Sequence, residues 1–288
     1  MAEPDFSEAV NPATLYLVAT PIGNRADWSY RAPAILRRMT VILAEDTRVT
    51  GMLCRQHGIA VPMLSFHAHN QRQRVAEAVS RLTNGECVAL VSDRGMPAIS
   101  DPGQELVAAV WEAGLAVRVI PGPSAVTAAF AVSGFPHPFI FWGFVPRHGR
   151  EREIRLGQIK ESRWTGVIYE APHRMAQTLN DLARVLGPGR RALVAREMTK
   201  RYEEYRRETL ERLAGERSWR GELVLVVEPE PVLPETRMAA PDWATLEQMV
   251  AERVAGGQKE KEAIRDFASQ WGINKRELYR RVQQGKMS

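Results

Sequence analysis

The sequence predicts an α/β protein that consists of two α/β domains followed by a small helical domain. Short apolar segments alternate with segments in which apolar residues recur every three to four positions. A cluster of chain breakers at residues 134–138 separates two such regions. Four prolines between residues 228 and 241 then precede a last stretch of helical pattern. A chain of 288 residues suits this division into two domains and an appendage.

The first domain is predicted at residues 14–135, after a flexible N-terminus at 1–13. Its strands are expected at residues 15–19, 41–44, 62–66, 87–92 and 116–120. Helices are expected between them, at residues 30–38, 47–57, 70–82, 103–112 and 123–132. Because strands and helices alternate, we expect a mostly parallel sheet covered by helices on both faces.

The second domain is predicted at residues 136–228, with strands at 139–144, 165–169, 191–195 and 222–227. Its clearest helix contains Met175, Leu179, Leu182 and Leu186. A proline-rich linker is expected at residues 229–241. The tail at 242–288 is predicted as about three short helices, of which one ends at Gly272 and the next is capped by Asn274.

The composition excludes several classes of protein. The 44% apolar and 25% charged residues are typical of a globular protein, and no run approaches the roughly 20 apolar residues of a membrane span. The first ten residues lack the pattern of a secretory signal. Cys54 and Cys87 form no CxxC motif, so we expect reduced thiols in a cytoplasmic protein and no metal site.

The charge indicates a polyanionic partner. The net charge of +5 is mild, but basic residues concentrate in three stretches. Residues 190–207 contain seven basic and three acidic side chains, and residues 147–163 contain six basic and three acidic ones. Residues 237–288 contain ten basic and seven acidic side chains.

Three strand-to-helix loops of the first domain are rich in glycine and proline. They are TPIGN at residues 20–24, VSDRGMPAISDPG at 91–103 and PGPSA at 121–125. Glycine lets the backbone approach a ligand and proline fixes a loop, so the three loops at one sheet edge predict a ligand cleft. None of them is a GxGxxG motif or a P-loop, which makes NAD and ATP poor candidates.

Three side chains in these loops are singled out. Asp93 ends a strand with no helix directly after it, so we expect its carboxylate to point into the cleft. Asp101 is followed by Pro102, a pattern typical of a helix cap. Ser124 lies at a helix start, where free N–H groups suit an anionic group of a ligand.

These loops occur in order with further motifs, which are AEDTR at residues 44–48, HN at 69–70, GFVP at 143–146, YEAPHR at 169–174 and AREMTK at 195–200. Together they resemble the RNA-methylating branch of the tetrapyrrole methylase fold family over about residues 14–227. The helical tail is similar to the helix-turn-helix appendage of that branch.

The resemblance implies S-adenosylmethionine in a cleft between two α/β domains and a homodimer as the working unit. The implied product is a 2′-O-methylated cytidine in the decoding region of the 16S rRNA of the small ribosomal subunit. The residues implied to bind the cofactor are Pro21, Asp93, Gly95, Met96, Ile99, Ser124 and Ala125. The chain departs from the family at Arg94, Arg25 and Gln71, where Ala, Leu and Glu are usual, and it has Met96 where Thr is common.

A ribose hydroxyl is a weak nucleophile at neutral pH, so a base should assist its methylation. The candidate catalytic residues are Glu45, Asp46, Glu170, Glu197 and Lys200. A plain helix cap with a local ion pair is the alternative for residues 45–48. A salt-bridge network with Arg196 and Lys200 is the alternative for Glu197, and a phosphate contact is the alternative for Lys200.

Contacts to RNA are expected from loop and strand-end residues of the family motifs, namely Asn24, Arg48, His69, Asn70, His173, Arg174 and Arg196. Phe144 and Tyr169 are stacking surfaces or core residues. Two other functions stay open: a methyltransferase that acts on a small tetrapyrrole, and a non-catalytic nucleic-acid-binding protein that senses a ligand. The basic stretches and the helical tail favour RNA, since a small substrate needs neither.

Overall fold

The computed structural model describes residues 10–216, 218–230 and 241–285. The chain divides into two compact units, one up to residue 230 and one from residue 231. Most of the predicted flexible N-terminus and of the predicted proline-rich linker lies outside the described residues.

The first sheet contains five parallel strands in the order β3-β2-β4-β1-β5. The strands are β1 (Thr14–Val18), β2 (Val41–Ala44), β3 (Met63–Ser65), β4 (Val88–Val91) and β5 (Ala116–Ile120). The helices are α1 (Arg31–Leu36), α2 (Thr47–Gln56), α3 (Gln71–Thr83), α4 (Gln104–Glu112) and α5 (Ala125–Ser133). Every residue of β2 and β4 is buried, because apolar clusters cover both faces of the sheet.

The second sheet is mixed and has the order β6-β7-β10-β8-β9. Its strands are β6 (Phe139–Phe144), β7 (Thr165–Glu170), β8 (Arg191–Arg196), β9 (Glu204–Thr209) and β10 (Leu223–Val227), and only β6 and β7 pair in parallel among them. The helices are α6 (Gly149–Glu161), α7 (Pro172–Leu186) and α8 (Leu210–Ala214). The sequence prediction missed β9, α6 and α8.

Helix α5 joins the two sheets. Its residues Val126, Ala129 and Phe130 belong to one buried apolar cluster with Val167 and Val224 of the second sheet. The two α/β halves of the first unit therefore share a core, and the carboxyl edge of the first sheet lies against the second half.

The second unit is a small helical domain. It contains α9 (Trp243–Ala255), α10 (Glu260–Trp271) and α11 (Lys275–Gly285) around its own apolar core. Gly272, with φ of 60°, ends α10, and the side chain of Asn274 accepts a hydrogen bond from the backbone N–H of Arg276 at 2.9 Å. Both features were predicted, and the two α/β halves followed by a helical region confirm the predicted fold class.

In the part of the chain that the structure describes, no helix is both long and apolar enough to span a lipid bilayer.

Candidate active site

A cavity of about 400 Å³ opens between the two α/β halves of the first unit. The first half contributes Ile22, residues 94–96 and 99–101, and the start of α5. The second half contributes Phe144, residues 169–172, Met198 and residues 221–224. This size and position are typical of a small-molecule site in an open α/β protein.

The loop between β4 and α4 is fixed to the loop after β1. The backbone N–H of Thr20 donates to the carbonyl oxygen of Gly95 at 2.8 Å, and the N–H of Gly95 donates back to Thr20 at 3.0 Å. Gly95 has φ of 77°, and a Cβ there would lie 3.3 Å from Cγ2 of Ile22. Ala98 and Ser100 also have positive φ, of 65° and 64°. A loop held in such a strained conformation is typical of a functional site.

Five of the seven residues expected to bind the cofactor line this cavity, namely Gly95, Met96, Ile99, Ser124 and Ala125. Pro21 and Asp93 do not line it. One carboxylate oxygen of Asp93 instead accepts a hydrogen bond from the backbone N–H of Asp46 at 3.1 Å. The expected role of Asp93 at the cofactor stays a prediction, and its observed contact links the loops after β4 and β2.

Asp101 is the functional candidate that the sequence interpretation missed. The expected helix cap at Asp101 is wrong, because α4 begins at Gln104 and its cap is Gly103, without a side-chain hydrogen bond. Asp101 lines the cavity instead. Burial, with a smaller contribution from the charge of Glu45, raises the pKa of its carboxyl to about 7, although a hydrogen bond with Ser92 acts in the opposite direction.

Glu45 and Asp46 follow β2 and have different environments. The carboxylate of Asp46 accepts hydrogen bonds from the backbone N–H of Arg48 at 2.8 Å and from its guanidinium at 2.7 Å. These bonds lower the pKa of Asp46 to about 2 and cap α2. Burial, followed by the charge of Asp93, raises the pKa of Glu45. The helix-cap reading thus fits Asp46, whereas Glu45 keeps a higher proton affinity.

The carboxylate of Glu170 is completely enclosed by the protein. It accepts hydrogen bonds from the N–H of Ala171 at 2.9 Å and the hydroxyl of Thr178 at 2.6 Å, and it lies 3.3 Å from the guanidinium of Arg174. These contacts attach β7 to α7 and leave Glu170 poorly placed to accept a proton from a substrate. Its neighbour Tyr169 lines the cavity as a neutral phenol, since burial, with the charge of Asp101 second, raises its pKa to about 12.

An ion-pair network crosses the rim of the cavity. The ammonium of Lys200 lies 2.9 Å from Glu197 and 2.8 Å from Glu222, and the N–H of Glu222 donates to Glu197 at 2.8 Å. Arg94 forms an ion pair with Glu222. The guanidinium of Arg94 is therefore directed to the second half, and Glu197 and Lys200 form the salt-bridge network that the sequence left open.

The residues expected to contact RNA fall into two groups. Asn24, Arg48, His69 and His173 are exposed. The other three make contacts within the protein. Asn70 forms hydrogen bonds with Ser65 and His67, and Arg196 forms an ion pair with Glu204. Arg174 donates a hydrogen bond to the carbonyl oxygen of Val145 and forms an ion pair with Glu170. Among the residues described, no three His, Cys, Asp or Glu side chains are placed to hold a metal ion together.

Comparison with known proteins defines the class. Residues 14–214 match the family described as Tetrapyrrole (Corrin/Porphyrin) Methylases. The uroporphyrin-III C-methyltransferase of Thermus thermophilus, solved with S-adenyl homocysteine, is similar with a TM-score of 0.55 and 21% identity, over 75% of this chain and 97% of that one. A cobalt precorrin-4 methyltransferase is similar with a TM-score of 0.56 and 16% identity, over 75% of this chain and 95% of that one. The family match and the shared fold make the protein a tetrapyrrole methylase.

Curated relatives narrow the assignment within that class. Ribosomal RNA small subunit methyltransferase I of Halalkalibacterium halodurans is 42% identical, over 95% of this chain and 96% of the relative. The protein of that name from Bacillus subtilis is 40% identical, over 95% of each. The chain belongs to the ribosomal RNA small subunit methyltransferase I family. The resemblance inferred from the motifs is confirmed, and so is the class of enzyme, a methyltransferase.

Proposed function

We propose that this protein transfers a methyl group from S-adenosylmethionine to the 2′-hydroxyl of a cytidine in the decoding region of 16S rRNA. The name of its relatives supports ribosomal RNA of the small subunit as the substrate. The observation on which the chemistry rests is Asp101, a carboxyl with a pKa of about 7 in the wall of the cavity between the two halves.

The residues of the cavity fit S-adenosylmethionine. Met96, Ile99 and Ala125 offer apolar contacts, and Gly95 lets the backbone approach the ligand. Ser124 makes no side-chain cap bond, so its hydroxyl does not occupy the N–H groups at the start of α5, which are of the kind that binds a carboxylate. The cofactor, when bound, supplies an electrophilic methyl group on a sulfonium.

Asp101 is the residue that we place as the proton acceptor. A general base works best when its pKa lies near the working pH, which holds for Asp101 and not for Asp46, with its pKa of about 2. Glu45 contributes indirectly, because its charge helps to raise the pKa of Asp101. Glu170 and Glu197 hold the surrounding backbone through the contacts described above. The site also lowers the barrier to methyl transfer by holding the ribose 2′-hydroxyl in position beside the carboxylate of Asp101.

Exposed residues of the family motifs would hold the RNA around the cavity. The side chain of Arg48 pairs with Asp46 but is 88% exposed, so that a phosphate oxygen can reach its guanidinium. His69 and His173 offer ring surfaces and N–H donors. We further propose that the enzyme is a homodimer, as the resemblance implies, and that it acts in the cytoplasm, where small ribosomal subunits are found. Sedimentation analysis tests the dimer.

The test is transfer of tritium from labelled S-adenosylmethionine to small ribosomal subunits from cells that lack the endogenous enzyme, followed by nuclease mapping. We expect label in one 2′-O-methylated cytidine near the decoding site. Label elsewhere in 16S rRNA would refute the proposed position. Label on uroporphyrinogen but not on RNA would favour a small tetrapyrrole substrate, and cofactor binding without any transfer would favour a ligand sensor.

A further inference from the structure

Phe144 is an exposed aromatic residue in the wall of the cavity. It is the last residue of β6, and 52% of its surface is exposed although it lines the site. Phe139 and Phe141 of the same strand pack instead against the apolar cluster that joins the two halves. Phe144 therefore presents apolar ring surface to the cavity that the described protein does not cover.

The backbone of β6 produces this exposure. The pairing of β6 with β7 shifts register between Phe141 and Gly143, and Gly143 adopts a φ of 64°. Such an irregularity bends a strand and re-aims the side chain that follows. A Cβ on Gly143 would lie 3.6 Å from the hydroxyl of Ser100, so the end of β6 abuts the loop between β4 and α4.

The Phe144 ring is supported by a second aromatic residue. Its centroid lies 5.6 Å from that of Tyr169, with the two rings tilted by 59°. Tyr169 in turn packs edge-on against Phe141, at 4.9 Å. An aromatic ring with a packed neighbour on one side and solvent on the other is suited to stack a planar group.

The surroundings of Phe144 favour a nucleotide as that planar group. Arg147 and Arg150 follow it closely in sequence and are exposed, and His173 is exposed next to Pro172, which lines the cavity. An aromatic ring that stacks a base, together with basic side chains that hold phosphates, is the combination by which proteins bind single-stranded RNA. Asp101, the proposed base, lines the same cavity.

We propose that Phe144 is the stacking platform for the unpaired pyrimidine base whose ribose is methylated. This inference rests on the proposed function, because it assigns a subsite for the RNA substrate of that reaction. The base leaves the RNA stack, rests on the open face of the Phe144 ring, and so brings its ribose into the cavity that contains Asp101.

The experiment compares four variants with the wild type. F144A removes the ring, F144L keeps apolar volume without an aromatic face, and F144W keeps an aromatic face. I154A is the matched control, since Ile154 is also 51% exposed but does not line the cavity. For each protein, we would measure thermal unfolding, the Kd of S-adenosylmethionine by calorimetry, and the KM for unmethylated small subunits.

We expect F144A and F144L to raise the KM for small subunits about tenfold, which equals about 1.4 kcal/mol of lost binding and lies within the range of a base–aromatic stack. F144W and I154A should stay near the wild-type KM, and all four should bind the cofactor normally. A wild-type KM for F144L would overturn the proposal, as would an F144W defect equal to that of F144A. Weaker cofactor binding by F144L would assign the ring to the cofactor instead. The proposed function is tested separately by the wild-type protein, because failure of that protein to transfer a methyl group to RNA would refute the reaction itself.

Discussion

Four carboxylates lie at one edge of the first sheet, and their surroundings separate their proton affinities. The guanidinium and backbone of Arg48 hold the pKa of Asp46 at about 2, whereas burial brings that of Asp101 to about 7. The pKa values of Glu45 and Asp93 are also raised, in both cases mainly by burial. When the surroundings give carboxyl groups of one site very different pKa values, the difference indicates which of them acts as acid or base.

Asp101→Asn tests the assignment of the base. Because a positioned base contributes about 10²–10⁴-fold, we expect single-turnover methyl transfer to slow by that factor. In the wild type, the rate should rise with pH through about 7, as Asp101 loses its proton, and the variant should lose this dependence. Glu105→Gln is the matched control, since Glu105 is an exposed carboxylate in the first turn of α4 and does not line the cavity. A variant profile with the wild-type midpoint would assign the base to another residue.

The pKa of Asp101 also affects the stability of the fold. The native carboxyl titrates near pH 7 and the unfolded one near 3.8, so between these values the native state binds more protons than the unfolded state. The free energy of unfolding should therefore fall as the pH rises from about 4 to about 7. Thermal unfolding at pH 5 and pH 8 would measure this loss, which should be smaller in Asp101→Asn. An equal loss in both proteins would contradict the raised pKa.

The loop that carries Asp101 depends on Gly103 for its backbone conformation. Its φ is 142°, and a Cβ there would lie 2.6 Å from Cδ2 of buried Leu90 in β4. Gly103→Ala should therefore lower the free energy of unfolding by about 2–4 kcal/mol, from backbone strain and overpacking together. Gly114→Ala is the control, because Gly114 has φ of 70° and open space around its Cα, and should cost only about 1 kcal/mol.

Urea unfolding of the two glycine variants would measure these changes. Equal losses of unfolding free energy in the two variants would show that the side chain of Leu90 moves aside for the new methyl group, and that the packing argument for the loop is wrong. A larger loss of unfolding free energy in Gly103→Ala, together with weaker cofactor binding, would show that the cofactor site depends on the conformation of this loop.

The sequence was informative for elements with regular apolar spacing. Helix α2 was expected at residues 47–57 and runs over Thr47–Gln56, and α4 was expected at 103–112 and runs over Gln104–Glu112. Strand β9 was missed because it consists of EYRRET, whose charges indicated a basic surface stretch. Helix α6 was missed for a similar reason, since charged residues fill much of its sequence, GREREIRLGQIKE.

The site was predictable only in part. Glycine and proline loops at the carboxyl ends of parallel strands located the cleft, because parallel topology brings those ends together. The sequence could not show that Arg94 and Lys200 both meet Glu222, since these residues are far apart in the chain. Nor could it separate Asp101 from a helix cap, because only the three-dimensional packing places its carboxyl in the cavity wall.

The fold pairs part of the basic charge that the sequence indicated with carboxylates. Residues 190–207 have seven basic side chains, but Arg196 pairs with Glu204, Lys200 with Glu197 and Glu222, and Arg206 with Glu216. Such paired charges attract RNA less than their number suggests. In the helical domain, Arg280 and Arg281 share the single carboxylate of Glu277, and α11 also contains Lys275 and Arg276. We therefore expect this domain to contribute to binding of the small subunit.

Truncation after residue 230 separates the two contributions, because the chain divides into compact units at that point. All residues that line the cavity lie between Ile22 and Val224, so the shortened protein should bind S-adenosylmethionine with unchanged Kd in calorimetry. It lacks the stretch from residue 237 onward, with ten basic and seven acidic side chains, and should bind small subunits more weakly. The slope of log K against log salt should also be shallower, since fewer phosphate contacts release fewer counterions. An unchanged slope with normal cofactor binding would place all RNA contacts on the methyltransferase unit, and loss of cofactor binding would show that the cavity needs the helical domain.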